Sequence, residues 1–392
     1  MYQSSNLPNT RLHIADALRG IAIIGIILIH NVEHMDFYRF PEATNEWMMF
    51  FNKMIWDSVF FVFGGKMYSI FALMFGLSFF IQNDNQIQKG KNFTWRFWWR
   101  MVLLLIFGLL NTFFYSGDIL VSYAIFGMLM PLFSRLNTKT VAFIAIFLLI
   151  QPIEIFQILA ALFNPDYTLI DANSGKYFSL MYEPKGSGTF WESGWNSLKY
   201  GQLGSFSWNI ENGRTTQLPG LFCLGMLLGR FRLFYNEKNN MKIWLGILAV
   251  SILVFSPALG LHNMLPNFIE RNEILSPTRL LLKSWSNLAQ MFTYVSILTL
   301  LFYSSKMVYG FMMKISGFGR MSMTNYFLQS VLGASLYYGW GFGLYRYCGP
   351  AASFLIGIAM VMAQYYFCRW WLKTRSHGPM EGLWKKLTWI KL

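Results

Sequence analysis

Residues 18–34 read "LRGIAIIGIILIHNVEH", an apolar helix that opens on an arginine and closes on histidine, glutamate and histidine. A plain membrane anchor has no use for such ends. At about 100° per residue, the eleven steps from Arg19 to His30 bring the two side chains to within about 20° of one direction. Glu33 falls within about 40° of that direction, and Asp16 and His34 within about 60°. The five polar residues form one stripe on an otherwise apolar rod, with His30 about 16 Å beyond Arg19 along the axis. Ionisable groups at that depth in a membrane are costly, and they normally face a bundle interior or a watered cavity.

The rest of the chain has the composition such a helix needs. Hydrophobic residues make up 55% of the 392, aromatic residues 19% and charged residues only 13%, where soluble domains carry about 25% charge. Several apolar runs reach the ~20 residues that cross a ~30 Å hydrocarbon core. The first run contains Arg19 and is followed by no small-residue cleavage site, so it reads as a retained span and not a signal peptide. The 3 cysteines, Cys223, Cys348 and Cys368, have no CxxC spacing. Neither a disulfide framework nor a thiolate zinc site is indicated.

The pattern predicts an all-α polytopic integral membrane protein of roughly ten transmembrane helices. They fall at 12–34, 66–83, 94–115, 117–134, 139–163, 216–235, 241–262, 278–304, 318–339 and 350–374. The cuts follow Ser116-Gly117, Asn137-Thr138, Pro277 as a first-turn proline and Gly349-Pro350. The N-terminal half, 1–163, carries five spans and the catalytic candidate. A polar region at 164–215 reads as a structured extracytoplasmic loop, and 216–392 is the C-terminal half. Within 35–65, "NEWMMFFNKMIWDSVFF" reads as a helix on or dipping into the membrane surface.

Basic residues set the orientation. With both termini cytoplasmic, the inner loops and inner helix ends hold 21 of the 32 Lys and Arg residues against four acids, Asp16, Asp84, Glu237 and Glu381. This segregation is the positive-inside pattern. It accounts for the +14 net charge without a nucleic-acid partner. The expected location is the plasma membrane of a bacterial-type cell, among membrane lipids.

Three readings compete for the polar stripe. In the first, Asp16 and Arg19 pair at the inner helix end while His30 and His34 meet headgroups. In the second, "HNVEH" is an H-x-x-E-H metal pair. The third needs an imidazole that handles protons in a dry site and an arginine that holds an anionic partner at the opposite end, which is acyl transfer across a membrane. The third is preferred, with no metal expected.

Sequence resemblance supports that preference. "ADALRGIAIIGIILIH" (15–30), "FGGKMYSIFALMFG" (63–76), "YSGDIL" (115–120), "LGMLLGR" (224–230), "GRMSMTNYFLQS" (319–330), "YYGWGFGLY" (337–345) and "HGPMEGLWKKLT" (377–388) resemble, in order, the YeiB-like family. That family is a domain family of unknown function placed in the transmembrane acyltransferase superfamily. Arg19 and His30 also match the R-x10-H spacing of the acyltransferase-3 enzymes, which O-acylate surface glycans. Heparan-α-glucosaminide N-acetyltransferase, of the same superfamily, uses an active-site histidine. YeiB-like proteins often carry asparagine where His30 stands and a histidine near Asn111, so the catalytic role of His30 is carried over from the wider superfamily.

Several other residues become candidates. Asp118 either caps the fourth span or orients and charges His30 as an acid does in a triad. Ser322, Asn325, Tyr326 and Gln329 share one helical face, for interhelical hydrogen bonds or for substrate. Lys66, after Gly64-Gly65, either snorkels or holds a phosphate or carboxylate. Arg96, Arg100 and Arg320 mark the inner face or receive the phosphates of an acyl-CoA donor. Asp16, Glu33 and His34 would support the site, His34 from headgroup level. The acceptor would be a hydroxyl or amine on a glycan, lipid or small molecule, and a homodimer is among the admissible assemblies. A transporter or lipid-handling protein that makes no bond is the alternative.

Overall fold

The computed structural model describes residues 11–35, 37–42, 45–169 and 171–390, and Lys391, counted among the inner bases, lies outside them. Among the described residues the chain is all-helical, with no strand. The N-terminal half contains α1 (His13–Val32), α2 (Glu46–Phe63), α3 (Lys66–Gln88), α4 (Thr94–Thr112), α5 (Leu120–Gly127), α6 (Met130–Ser134), α7 (Thr138–Leu149) and α8 (Pro152–Phe163). Short helices follow: α9 (Ser174–Ser179), α10 (Tyr182–Gly186), α11 (Phe190–Asn196) and α12 (Gln202–Glu211). The C-terminal half holds α13 (Arg214–Arg230), α14 (Lys238–Met264), α15 (Asn272–Ser304), α16 (Lys306–Arg320), α17 (Ser322–Tyr337), α18 (Pro350–Trp371) and α19 (Pro379–Thr388).

Local chemistry sets many of these ends. Asn137 accepts the Thr140 N–H at 2.8 Å and starts α7, and Asn45 does the same for α2 through Met48. Pro350 opens α18, where its missing N–H is no loss. Pro277 departs from expectation. It lies inside α15, whose first residue is Asn272, so the helix runs past it one i→i−4 bond short.

Four units are long and apolar enough to cross a membrane, among them α1, α14 with the turn after it, and α18. The fourth is α2 with α3, which count as one 43-residue unit across Gly64-Gly65. At 1.5 Å per residue that unit is about 65 Å long, twice a bilayer core. Two bent pairs, α7 with α8 at 51° and α15 with α16 at 115°, raise the number to six. The remaining expected spans are short, broken or charged. The 117–134 region divides into α5 and α6, α13 has 17 residues with Pro219 inside, and α17 has 16. The residues read as 318–339 break at Met321, between α16 and α17. The first half of α4 carries Arg96 and Arg100 among its tryptophans.

α1 lies at the centre, packed by α16, α18, α3, α17 and α2. Ala17, Leu18, Ala22, Ile23 and Ile27 on it are fully buried. α14 is the opposite case: Val250 and Leu253 are 60% and 72% exposed. An apolar surface of that kind is unfavourable in water and suits hydrocarbon. α3 and α13 cross in near backbone contact. A Cβ on Gly76 would stand 2.1 Å from the Phe222 carbonyl oxygen, and one on Gly225 2.0 Å from that of Leu73. Without a hydrophobic drive between helices in lipid, small residues that let backbones touch hold such crossings together.

Candidate functional site

The two ends of the polar stripe on α1 open into two different cavities. His30 and Glu33 line an outer cavity of about 430 Å³, together with Lys66, Tyr115, Asp118 and Arg214. Arg19 and Asp16 line an inner cavity of about 230 Å³, together with Arg11, Arg100, Arg320 and Glu381. Phe71, Tyr123 and Tyr326 line both, so three aromatic side chains form the partition. The partition is braced. The Tyr326 hydroxyl accepts the Ile119 N–H at 3.3 Å, and the Tyr123 hydroxyl donates to the Tyr68 carbonyl at 3.2 Å.

The acid beside His30 is Glu33. One turn along α1, its Oε2 lies 3.2 Å from His30 Nδ1, and its other oxygen accepts the Tyr38 hydroxyl at 2.8 Å. Tyr115 supplies a further partner, its hydroxyl 3.1 Å from His30 Nδ1 and its ring 4.8 Å from the imidazole. Asp118 lines the same cavity but makes no hydrogen bond to His30. It accepts from the Asn111 side chain at 2.6 Å and from the Val121 N–H at 3.2 Å, the second bond capping α5. A carboxylate three positions along a helix always lies within reach of an imidazole, whereas Asp118 approaches from another element whose depth the sequence fixes only coarsely.

His34 is fully buried: its Nδ1–H donates to the Arg39 carbonyl (2.8 Å), its Nε2 lies 2.7 Å from the Ser353 hydroxyl, and its ring stacks on Tyr337 at 4.6 Å. α1 ends at Val32, and His34 sits in a turn at φ 53°, so extrapolating helical phase past that end misplaces it. The two imidazoles of "HNVEH" therefore diverge. The 164–215 region is structured, as α9 to α12. Its Lys185 is fully buried and donates to Ser116 at 2.7 Å, Ser205 donates to the Ser116 carbonyl, and Asn209 donates to Ser122. These bonds fasten α10 and α12 over the outer cavity, where Tyr182 and Trp208 form part of the wall.

At the inner end, Arg19 donates to Asp16 at 2.7 Å and to Ser78 at 2.6 Å. Arg100 stacks its guanidinium 4.0 Å from the Trp384 ring, and Arg320 donates to the Ser376 carbonyl at 3.0 Å. Arg96 does not line this cavity. It donates to the carbonyls of Thr388 and Ile390, both at 2.8 Å, and so caps the C-terminus of α19. Glu381 ties α19 to the start of α17 by accepting the N–H groups of Met323 and Thr324. Its burial raises its carboxyl above the usual range.

The four-residue stripe on α17 divides. Ser322 and Tyr326 reach the inner cavity. Asn325 turns to the Phe318 carbonyl and to Cys368. Gln329 is fully buried and lines neither cavity. Shared helical phase predicts a common face of about 100°, which is wide enough to touch different neighbours. Arg214, Lys283, Tyr115 and Trp208 also line the outer cavity and carried no sequence signal. The first two look like ordinary outer-side bases, and nothing local says that they point inward.

Among the described residues the fold and site thus define an all-helical protein with helices long and apolar enough to cross a membrane and two cavities that meet one central helix. Residues 228–391 match the family described as Protein of unknown function (DUF418). The chain is 27% identical to the uncharacterized protein YxaH of Bacillus subtilis, over 98% of this chain and 96% of that protein. It is 24% identical to the uncharacterized protein YeiB of Escherichia coli, over 95% of each. An uncharacterized 39.9 kDa protein of Bacillus acidopullulyticus is 24% identical over 96% of this chain and 94% of its own. Along nearly its whole length the chain is thus similar to the uncharacterized proteins YxaH and YeiB, and its C-terminal part matches a family of unknown function. No solved structure matches it.

Proposed function

We propose that the protein is a membrane-embedded acyltransferase that moves an acyl group from a cytoplasmic acyl-CoA-type thioester to an extracytoplasmic hydroxyl or amine. The observation that carries this reading is the pair of cavities on α1, His30 in one and Arg19 in the other, divided only by Phe71, Tyr123 and Tyr326. The inner arginines would take the donor's phosphates through charge-assisted hydrogen bonds. A volume of about 230 Å³ suits the thioester end of the donor and leaves the nucleotide outside.

In the transfer step His30 takes the proton of the acceptor O–H or N–H, and the freed lone pair attacks the thioester carbonyl. The carbon–sulfur bond then breaks, and the departing thiolate takes the proton back from the imidazolium. Glu33, on Nδ1, fixes the tautomer and stabilises the imidazolium, as the acid of a triad does. Asp118 lines the same cavity, held there by Asn111.

The proposed topology has ten crossings and both termini cytoplasmic, in the plasma membrane. The segregation of 21 basic residues supports it, with α4, α5–α6, α13 and α17 as the shorter crossings inside the bundle. In a cysteine-free background, Lys91→Cys and Lys176→Cys should be labelled from opposite sides, and labelling from one side would overturn the orientation. A carrier that passes a solute through the same cavities is the competing reading. Purified protein given acyl-CoA and a membrane extract should release free CoA thiol and form an acylated product detected by mass spectrometry. Solute uptake without any such product would decide for the carrier.

A further inference from the structure

The outer cavity holds more positive charge than the proposed chemistry uses. Lys66 is the first residue of α3 and only 5% exposed, and its hydrogen bond to the Phe60 carbonyl is long at 3.4 Å. Arg214 is the first residue of α13, with its guanidinium between the rings of Tyr68 and Trp208, 4.2 and 4.3 Å from their centroids. Lys283 reaches the same cavity from α15, close enough for its charge to act on Lys66. Among the described residues none of the three has an ion pair. The cavity's two acids are engaged elsewhere, Glu33 by His30 and Tyr38 and Asp118 by Asn111 and Val121, and Glu33 acts on Arg214 only at longer range.

We propose that the outer cavity binds a phosphate group of its acceptor through Lys66, Arg214 and Lys283. Lys66 and Arg214 are unpaired cations walled by aromatic rings, which is costly, and an anionic ligand removes that cost, with Lys283 adding its charge from the exposed rim. α3 and α13 both begin at this cavity, so their N-terminal dipoles add to the same positive field. Gly65, at φ 75°, makes the turn that puts Lys66 there, and a Cβ on it would stand 2.7 Å from the Asn287 amide. Three donors from three helices match the several terminal oxygens of a phosphate, whereas a planar carboxylate is served by one arginine fork. Stacking between Tyr68 and Trp208 orders Arg214 in advance, so little side-chain freedom is lost on binding.

The phosphate could come from a phospholipid headgroup or from a water-soluble polyol phosphate, and the test separates the two. Only the word acceptor rests on the acyltransferase reading, since anion binding is measured without turnover. Full-length protein in phosphatidylcholine nanodiscs is titrated with glycerol phosphate and, as control, glycerol. In detergent, retention of phosphatidylglycerol against phosphatidylcholine is read by native mass spectrometry. One phosphate probe should bind selectively, and Arg214→Gln and Lys283→Gln should each weaken it about tenfold or more. Arg214→Lys should lose less, and Lys53→Gln, at an exposed surface pair, should change nothing. Glycerol phosphate alone points to a soluble acceptor, and phosphatidylglycerol alone to a lipid one. Neither probe bound by wild type, or both bound equally by the variants, overturns the proposal. The thermal shift given by acyl-CoA in the same samples reports on the donor cavity. If that shift persists while phosphate binding is absent, the anion site fails and the transferase reading stands.

Discussion

Both cavities are lined by cations, but the inner cavity pairs Arg11 and Arg19 with Asp16, whereas among the described residues none of Lys66, Arg214 and Lys283 in the outer cavity has an ion pair. Arg19 is held by Asp16 and Ser78, Arg320 by a carbonyl and Arg100 by a tryptophan face. Lys66 has one long hydrogen bond to a carbonyl and the Phe61 ring 5.7 Å away, and Arg214 has the Tyr68 and Trp208 rings. A guanidinium fixed by protein partners presents a shaped surface to a ligand that arrives from water. An unpaired cation beside a general base instead leaves its electrostatic requirement to the ligand. The first arrangement suits a mobile soluble donor, and the second suits selection of an acceptor.

The largest effect should fall on His30. His30→Ala should lose about 10²- to 10⁴-fold in turnover, the range for removing a general base, while the thermal shift given by acyl-CoA stays. Glu33→Gln should cost more than Asp118→Asn, because only Glu33 touches the imidazole. Turnover unchanged in His30→Ala would remove the functional asymmetry between the cavities.

A smaller effect should separate the arginines. Arg19→Gln should raise the KM for acyl-CoA roughly tenfold or more through loss of a charge-assisted contact. Arg96→Gln should leave that KM in place and loosen α19, measured as faster proteolysis at the C-terminus. Equal donor defects in both variants would mean that the inner cavity as drawn is not the donor site.

The smallest effect on turnover should come from His34. His34→Ala strands a buried carbonyl and the Ser353 hydroxyl and unstacks Tyr337, a loss of about 3 kcal/mol in stability. The melting temperature should fall while turnover per folded molecule stays near wild type. A turnover loss as large as that of His30→Ala, with stability intact, would put both histidines in one site.

Much of this was legible beforehand because helical phase is a local property. Arg19, Asp16, His30 and Glu33 lie on one rigid helix, so their shared face followed from spacing alone. Helical phase gave less once the helix stopped, as at His34 in its turn, and where a common face met more than one neighbour, as at Asn325 and Gln329. Arg96 stayed open between two readings because a base near an inner helix end looks the same whether it faces a ligand or caps another helix.

What the sequence alone determined is the material. The chain is helical and apolar, gathers its bases in alternate connections, and carries an arginine and a histidine in phase at opposite ends of its first long run. Length, period and charge asymmetry are additive along a chain, and they survive without knowledge of any contact. Tertiary structure decided which acid touches His30, which arginines line the inner cavity, and that Arg214 and Lys283 border the outer one. Those outcomes depend on crossings such as Gly76 against Phe222 and on the fastening of α10 and α12 over the outer cavity. They join residues far apart in the chain, and no local pattern encodes their distance.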